Sequence, residues 1–279
     1  MTLTHWIPAS VQVQAMCLGL FAVTATTGQT PEPSNSPPGF VDVSAGVSDF
    51  HMKDRYLSPF TYGGLLFASR LTCEIPAGDA VHMITASYAI GSPTSSLQAR
   101  DVTEETGRLS YTFLARVTGW TLAGRELVAS VGGGVSSFVA NTDFDTHDSY
   151  GTPYHDQSWF WTHSLHAAAR LEFQAWVGNS VTFDVTVPLF SLATRPGNGH
   201  WMNAENIRIG QNFLRASLHG HPVYPWESLV MFTRLSWRER VGEHFALQGS
   251  YEFTYASADV PISMRMYANM VLVGLDWVF

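Results

Sequence analysis

Residues Trp159–Gln174 read WFWTHSLHAAARLEFQ. Trp159, Trp161, Leu165, Ala167, Ala169, Leu171 and Phe173 share one parity, and Thr162, Ser164, His166, Arg170, Glu172 and Gln174 share the other. Successive side chains of an extended strand point to opposite faces, so the stretch is a strand with one oily and one polar side. Its polar side carries an arginine and a glutamate in mid-strand. A strand in a lipid-embedded barrel turns its oily side outward and its polar side toward the lumen.

The same alternation recurs on either side of this segment. It predicts ten strands: Phe40–Asp49, Leu65–Ile75, Ala80–Gly91, Leu109–Thr118, Leu127–Ala140, Trp159–Gln174, Val181–Leu192, Leu229–Arg238, Phe245–Tyr255 and Arg265–Phe279. The outer sides are nearly all apolar, for example Val181, Phe183, Val185, Val187 and Leu189, while Arg and Glu fall on the hidden sides. The run Gly132-Gly133-Gly134 marks a bend or bulge. Short polar turns at Pro76–Asp79, Leu122–Arg125, Gly178–Ser180 and Val241–Glu243 alternate with the longer segments Phe50–Tyr62, Ser92–Gly107, Asn141–Ser158, Ala193–Glu227 and Ala256–Met264. Periplasmic turns and external loops alternate in this way. The expected fold is an all-β, transmembrane, antiparallel up-and-down barrel of ten strands with both ends on the periplasmic side. Twelve strands is the alternative, because Ala193–Glu227 has room for two more or for a short helix.

Composition agrees. Of 279 residues only 14% are charged and 13% are aromatic, against about 25% charged in an average soluble domain. Mean hydropathy is +0.03, and the sequence has no apolar run of the roughly 20 residues that a spanning helix needs. The net charge of −8, with Lys53 alone beside the arginines, speaks against nucleic acid as a partner, since phosphates need a basic face. Residues 1–25 are expected to be a signal peptide, with the apolar stretch Ala15–Ala25 ending in Val23-Thr24-Ala25. Residues 26–39 read as a Pro- and Ser-rich leader, and 40–279 as the barrel.

Aromatics should gather in two girdles. Trp237, Trp277 and Phe279 fall outward toward the periplasmic end, and Trp159, Trp161, Tyr255 and Tyr267 toward the external end. Trp120 and Trp176 lie one residue out of phase, so each needs a bulge or points inward. The last strand, with Val271, Val273, Leu275, Trp277 and Phe279 at alternate positions, resembles the C-terminal signal read by the outer-membrane assembly machinery, with Trp277 and Phe279 as its aromatic anchors. The segment Lys53–Gly64 (KDRYLSPFTYGG) and the turn pattern resemble uncharacterised Bacteroidota outer-membrane barrels. That resemblance implies the fold and no activity.

The inward ionisable residues are Arg70, Glu74, Arg116, His166, Arg170, Glu172, Asp184, Arg234, Arg238 and Glu252. A ten-strand lumen is little wider than its own side chains. These residues therefore read first as an ion-paired network that fills it, and second as a narrow path selecting small anions through arginine. Catalytic residue types crowd together in Asn141–Gln157, where Asp145, His147 and Ser149 stand close. His147-x-Ser149 resembles the pair of outer-membrane phospholipases and lipid A deacylases, which would imply lipid acyl hydrolysis at the external rim. The surroundings depart from that pattern, because Phe160 and Trp161 occupy the place of the residue that orients the histidine. His219 and His221 on one strand would point both rings to one side and could chelate a metal, although solvated loop histidines are commoner. The reading is an outer-membrane barrel acting as a binding or structural envelope protein, without cofactor or metal. Its partners would be membrane lipids, the assembly machinery and an unspecified envelope protein. A small-anion pore ranks second and the acyl hydrolase third.

Overall fold

The computed structural model describes residues 39–55, 60–95, 101–147, 153–176, 178–195, 220–259 and 263–279. The expected signal segment, all of the leader but Gly39, and the candidate residues Ser149 and His219 lie outside them. The side chains of Asp145 and His147 lie outside them as well.

The alternating segments form β1 (Phe40–Asp54), β2 (Tyr62–Ala77), β3 (Ala80–Gly91), β4 (Asp101–Leu122), β5 (Arg125–His147), β6 (Pro153–Trp176), β7 (Asn179–Thr194), β8 (His221–Val223), β9 (Ser228–Arg240), β10 (Phe245–Ala258) and β11 (Met264–Val278). Each pairs antiparallel with its neighbour, and β1 pairs with β11 along its whole length, so the sheet closes on itself. Next to β7, β9 covers Asn179–Thr186 and β8 continues the line along Ser191–Ala193. β8 and β9 are thus one interrupted stave. The wall has ten staves, and within the described part of 193–227 the alternative of two further strands reduces to this three-residue piece.

The short turns are tight. In the β4–β5 turn both Ala123 (φ 51°) and Gly124 (φ 76°) are left-handed, the conformation that matches the twist of a two-residue hairpin. Two bulges account for the out-of-phase tryptophans. The β4–β5 register slips between Arg116 and Thr118, and the β6–β7 register slips between Gln174 and Trp176. Each extra residue rotates the strand by one parity, which leaves Trp120 and Trp176 exposed on the outer wall. Gly132 and Gly134 face the lumen where β5 meets β4 most closely. A Cβ on either would lie 1.8 or 1.9 Å from the carbonyl oxygens of Phe113 and Tyr111.

Several strands run further than alternation predicted, because the polarity of the wall inverts part-way up. Along the outer face of β1 and β11 the paired rungs are Val43–Leu275, Val47–Val271, Asp49–Asn269, His51–Tyr267 and Lys53–Arg265. The inner rungs change in the opposite sense, from Asp42–Asp276 to Phe50–Ala268 and Met52–Met266. Toward the short turns the barrel is oily outside and polar inside. Toward the long loops it is polar outside and oily inside, as in a soluble protein. One girdle expectation changes, although Trp159 and Trp161 keep their outward parity. Trp159 and Trp161 are buried instead of exposed, and the Trp161 indole N–H donates to Ser137 Oγ at 2.8 Å.

Candidate functional site

The lumen is stacked in layers, and the register explains why. At the long-loop half, inward positions of β1, β2, β5, β6, β9 and β11 carry Phe50, Met52, Leu66, Phe138, Phe160, Phe232, Met264, Met266, Met270 and Leu272, all nearly or fully buried. The Phe138 ring meets Phe160 and Phe232 edge-on at centroid distances of 6.3 and 5.9 Å. Burying a large apolar side chain contributes about 1.5–3 kcal/mol, so this layer is a true core set inside a barrel.

Below it lies a charged layer. Arg170 grips Glu74 with both terminal nitrogens (2.8 and 2.7 Å) and reaches Asp184 through Nε at 2.7 Å. Arg234 binds the same Asp184 at 2.9 and 2.6 Å. Met83 Sδ sits 3.3 Å from both guanidiniums. Arg70 donates to Asp42 at 3.3 and 3.1 Å and stands 3.8 Å from Glu252, which also faces Arg108 at 3.5 Å. Arg238 bonds Asp276 and lies over the Phe40 ring at 3.5 Å. Charge-assisted, forked contacts of this kind are the strongest hydrogen bonds available to side chains. Arg108 joins the two layers, with its guanidinium 3.7 Å above the Phe232 ring. His166 lies beside it in the middle of the barrel, with Nε2 3.1 Å from Thr112 Oγ1.

Of the residues expected in the lumen, Arg70, Glu74, Arg170, Asp184, Arg234 and Glu252 come together in this layer, with Arg238 at its lower edge. Glu172 lines the short-turn mouth. Arg116 does not belong. It sits just before the β4 bulge, about half exposed, and pairs with Glu126 at 2.6 Å across the hairpin. It keeps its lumenal parity, but β3 ends at Ala80, opposite Ala115, so Arg116 lies past the edge of the neighbouring stave.

Sequence reasoning omitted Asp42, Arg108 and Asp276 from the charged layer, although Asp42 and Asp276 both fall on the polar parity of their strands. Arg108 directly precedes the first residue assigned to its strand. A third polar layer caps the core at the long-loop end. There Arg195 donates twice to Asp54 at 2.8 Å, Ser158 donates to Asp54 at 3.2 Å, and Thr142 donates to the buried Glu104 at 2.5 Å. All five residues fell in segments read as loops or next to them.

From the short-turn end a vestibule of about 410 Å³ rises as far as Glu74 and Arg170. Next comes a small polar cavity of about 20 Å³ among Thr72, Arg234 and Gln248, enough for about one water. Above it stand the ion pairs and the apolar core. Each guanidinium of the charged layer already faces a carboxylate, which leaves little charge for a passing solute. Among the described residues no three His, Cys, Asp or Glu side chains gather to hold a metal ion.

No family model matches the chain, and no curated protein matches it in sequence. Solved structures resemble it in architecture. The outer-membrane protease OmpT from Escherichia coli aligns over 91% of this chain and 100% of its own, with 6% identity and a TM-score of 0.46. The β-domain of the Bordetella autotransporter BrkA aligns over 86% and 99%, with 9% identity and a TM-score of 0.40. Ail, the attachment invasion locus protein of Yersinia pestis, aligns over 86% and 99%, with 12% identity and a TM-score of 0.33. None of the three carries an activity over to this chain.

Proposed function

We propose that the chain is a non-conducting barrel of a bacterial outer membrane, a binding or structural envelope protein that works through its outer wall and long-loop rim. The observation that carries this reading is the stacked lumen, in which a Phe- and Met-rich core lies directly on a network of buried ion pairs. An ion crossing it would have to part the Arg170–Glu74 and Arg234–Asp184 pairs and then traverse an apolar layer of several side chains. Removing one member of a buried pair strands its partner at a cost of about 3–5 kcal/mol, and hydrophobic constrictions hold pores shut. The inside-out wall toward the short turns supports the membrane location, and the alternation of short turns and long loops supports an outward-facing rim.

Planar-bilayer recording of the reconstituted full chain tests the reading. Current indistinguishable from protein-free membrane is expected. Stable, anion-selective steps that disappear in Arg170→Ala would refute it and restore the narrow pore.

A further inference from the structure

The cap at the long-loop end of the lumen holds a carboxyl group that its surroundings do not treat as an ion. Glu104 of β4 is fully buried. Among the described residues its Oε1 has no hydrogen-bond partner, and its Oε2 meets Thr142 Oγ1 at 2.5 Å. The same Oγ1 stands 3.7 Å from Met52 Sδ. A hydroxyl has one hydrogen to give. An ionised Glu104 takes that hydrogen, leaving the sulfur without a donor and one charged oxygen bare. A neutral Glu104 reverses the contact. Its own proton goes to Thr142 Oγ1, the hydroxyl hydrogen turns to Met52, and Oε1 is left as an uncharged carbonyl.

The charges nearby favour the neutral form. Among the described residues those that bear on Glu104 are Asp54 of β1 and Glu105 of its own strand, both acidic. Arg195 stands in the same layer, but its guanidinium holds both oxygens of Asp54 at 2.8 Å. From β2 comes the phenol of Tyr62, packed against Val102. On β5 Asp143 has the parity opposite to Thr142. Gly91 of β3 and Ser158 of β6, on the same rung, do not ionise. A desolvated carboxylate without a cation costs far more than the neutral acid. Burial, with the two acidic neighbours, therefore pushes the Glu104 carboxyl well above the usual carboxylate range, against the opposing contact to Thr142.

The site lies clear of the oily band. Thr142 touches Met52, whose flanking outer rungs are His51–Tyr267 and Lys53–Arg265, beyond the oily rung Val47–Val271. The outer face beside Glu104 carries Glu105 paired with Asn141.

We infer that Glu104 is a proton-binding site, occupied at neutral pH, whose proton ties β4 through Thr142 to Met52 of β1 and so holds the long-loop end of the lumen closed. When the proton leaves, an anion is stranded between Asp54 and the apolar core, and the cap has to admit water. The unfolded chain has the ordinary carboxyl value of about 4.3. The contribution is thus complete in acid and is lost as pH rises through the raised value. Beyond it the folding equilibrium constant falls about tenfold per pH unit.

The reconstituted full chain is compared with Glu104→Gln, which keeps the shape and a donor but cannot ionise. Infrared difference spectra of an alkaline titration should show the wild type losing a carboxylic-acid carbonyl band that Glu104→Gln never has. Thr142→Val, which removes the acceptor, should shift that band and not abolish it, a result that stands even if Glu104→Gln fails to fold. In urea titrations the wild type should match Glu104→Gln at about pH 5 and fall behind it about tenfold per unit on the alkaline side. Amide exchange in residues 101–108 should be faster in the wild type than in Glu104→Gln at the alkaline end alone. Absence of the band from the wild type at about pH 7 would overturn the inference. So would identical pH dependence in the two proteins, or a Glu104→Gln chain less stable at every pH, which would make the carboxylate the stabilising form.

Discussion

Replacing Arg170 by Met tests whether the lumen is held by its ion pairs. The substitution keeps the length and much of the apolar stem but deletes contacts of 2.7 and 2.8 Å to Glu74 and of 2.7 and 3.5 Å to Asp184. The two carboxylates do not suffer equally. Asp184 keeps Arg234 at 2.6 Å, whereas Glu74 is left with Arg234 at 4.0 Å. The expected cost is therefore that of stranding one buried charge, about 3–5 kcal/mol. The vestibule reaches Glu74 and lets water approach the stranded carboxylate, which points to the lower end, about 3 kcal/mol. Adding Glu74→Gln should recover a substantial part of the loss, because it removes the stranded charge. Urea titration in vesicles, followed by tryptophan fluorescence, gives both numbers. A loss below about 1 kcal/mol, typical of exposed pairs, would refute the reasoning, as would a second substitution that adds to the damage.

Gly132→Ala places a methyl group 1.8 Å from the Phe113 carbonyl oxygen, and a loss of at least about 1–3 kcal/mol is expected in the same titration. Ala123→Asn, at φ 51° in a hairpin turn followed by glycine, should stabilise by about 0.5–1 kcal/mol, since asparagine tolerates the left-handed region that strains alanine. Phe138→Ala opens a hole in the lumenal core and should cost about 3–5 kcal/mol; a cost under about 1 kcal/mol would mean that the layer is loosely packed. Val273→Lys in the oily band should cost about 2–4 kcal/mol, and Tyr267→Lys, three rungs higher, about 1 kcal/mol or less. Equal costs would place the membrane boundary elsewhere.

Where the outer wall is oily, the sequence was legible. From Val181 to Leu189 or from Val271 to Phe279, every second residue announces the wall, and the strands and short turns fall where the pattern puts them. Legibility ended where the outer wall turns polar. In Phe50-His51-Met52-Lys53-Asp54 the parity persists, but the oily residues have changed sides. A reader looking for apolar-out sees a loop. The charged layer was half visible for a similar reason. Arg170 stands out in a clear strand, whereas Arg108 lies in the extension of β4 beyond the segment that alternation marks. Arg116 misled because β3 stops at Ala80, opposite Ala115, so a residue of lumenal parity emerges past the edge of its neighbour, and parity alone does not show where the neighbouring strand ends.

The reversal of polarity along β1 and β11 also works as a depth gauge. In the proposed membrane placement, raising the barrel toward its long loops by a single rung, about 5 Å, would bare Val47 and Val271 to water at the upper edge of the oily band. Lowering it by the same amount would drag Asp49 and Asn269 into hydrocarbon there. Both displacements are uphill, so the molecule carries its own waterline, and a membrane of different thickness would have to deform around the barrel before the barrel shifted within it.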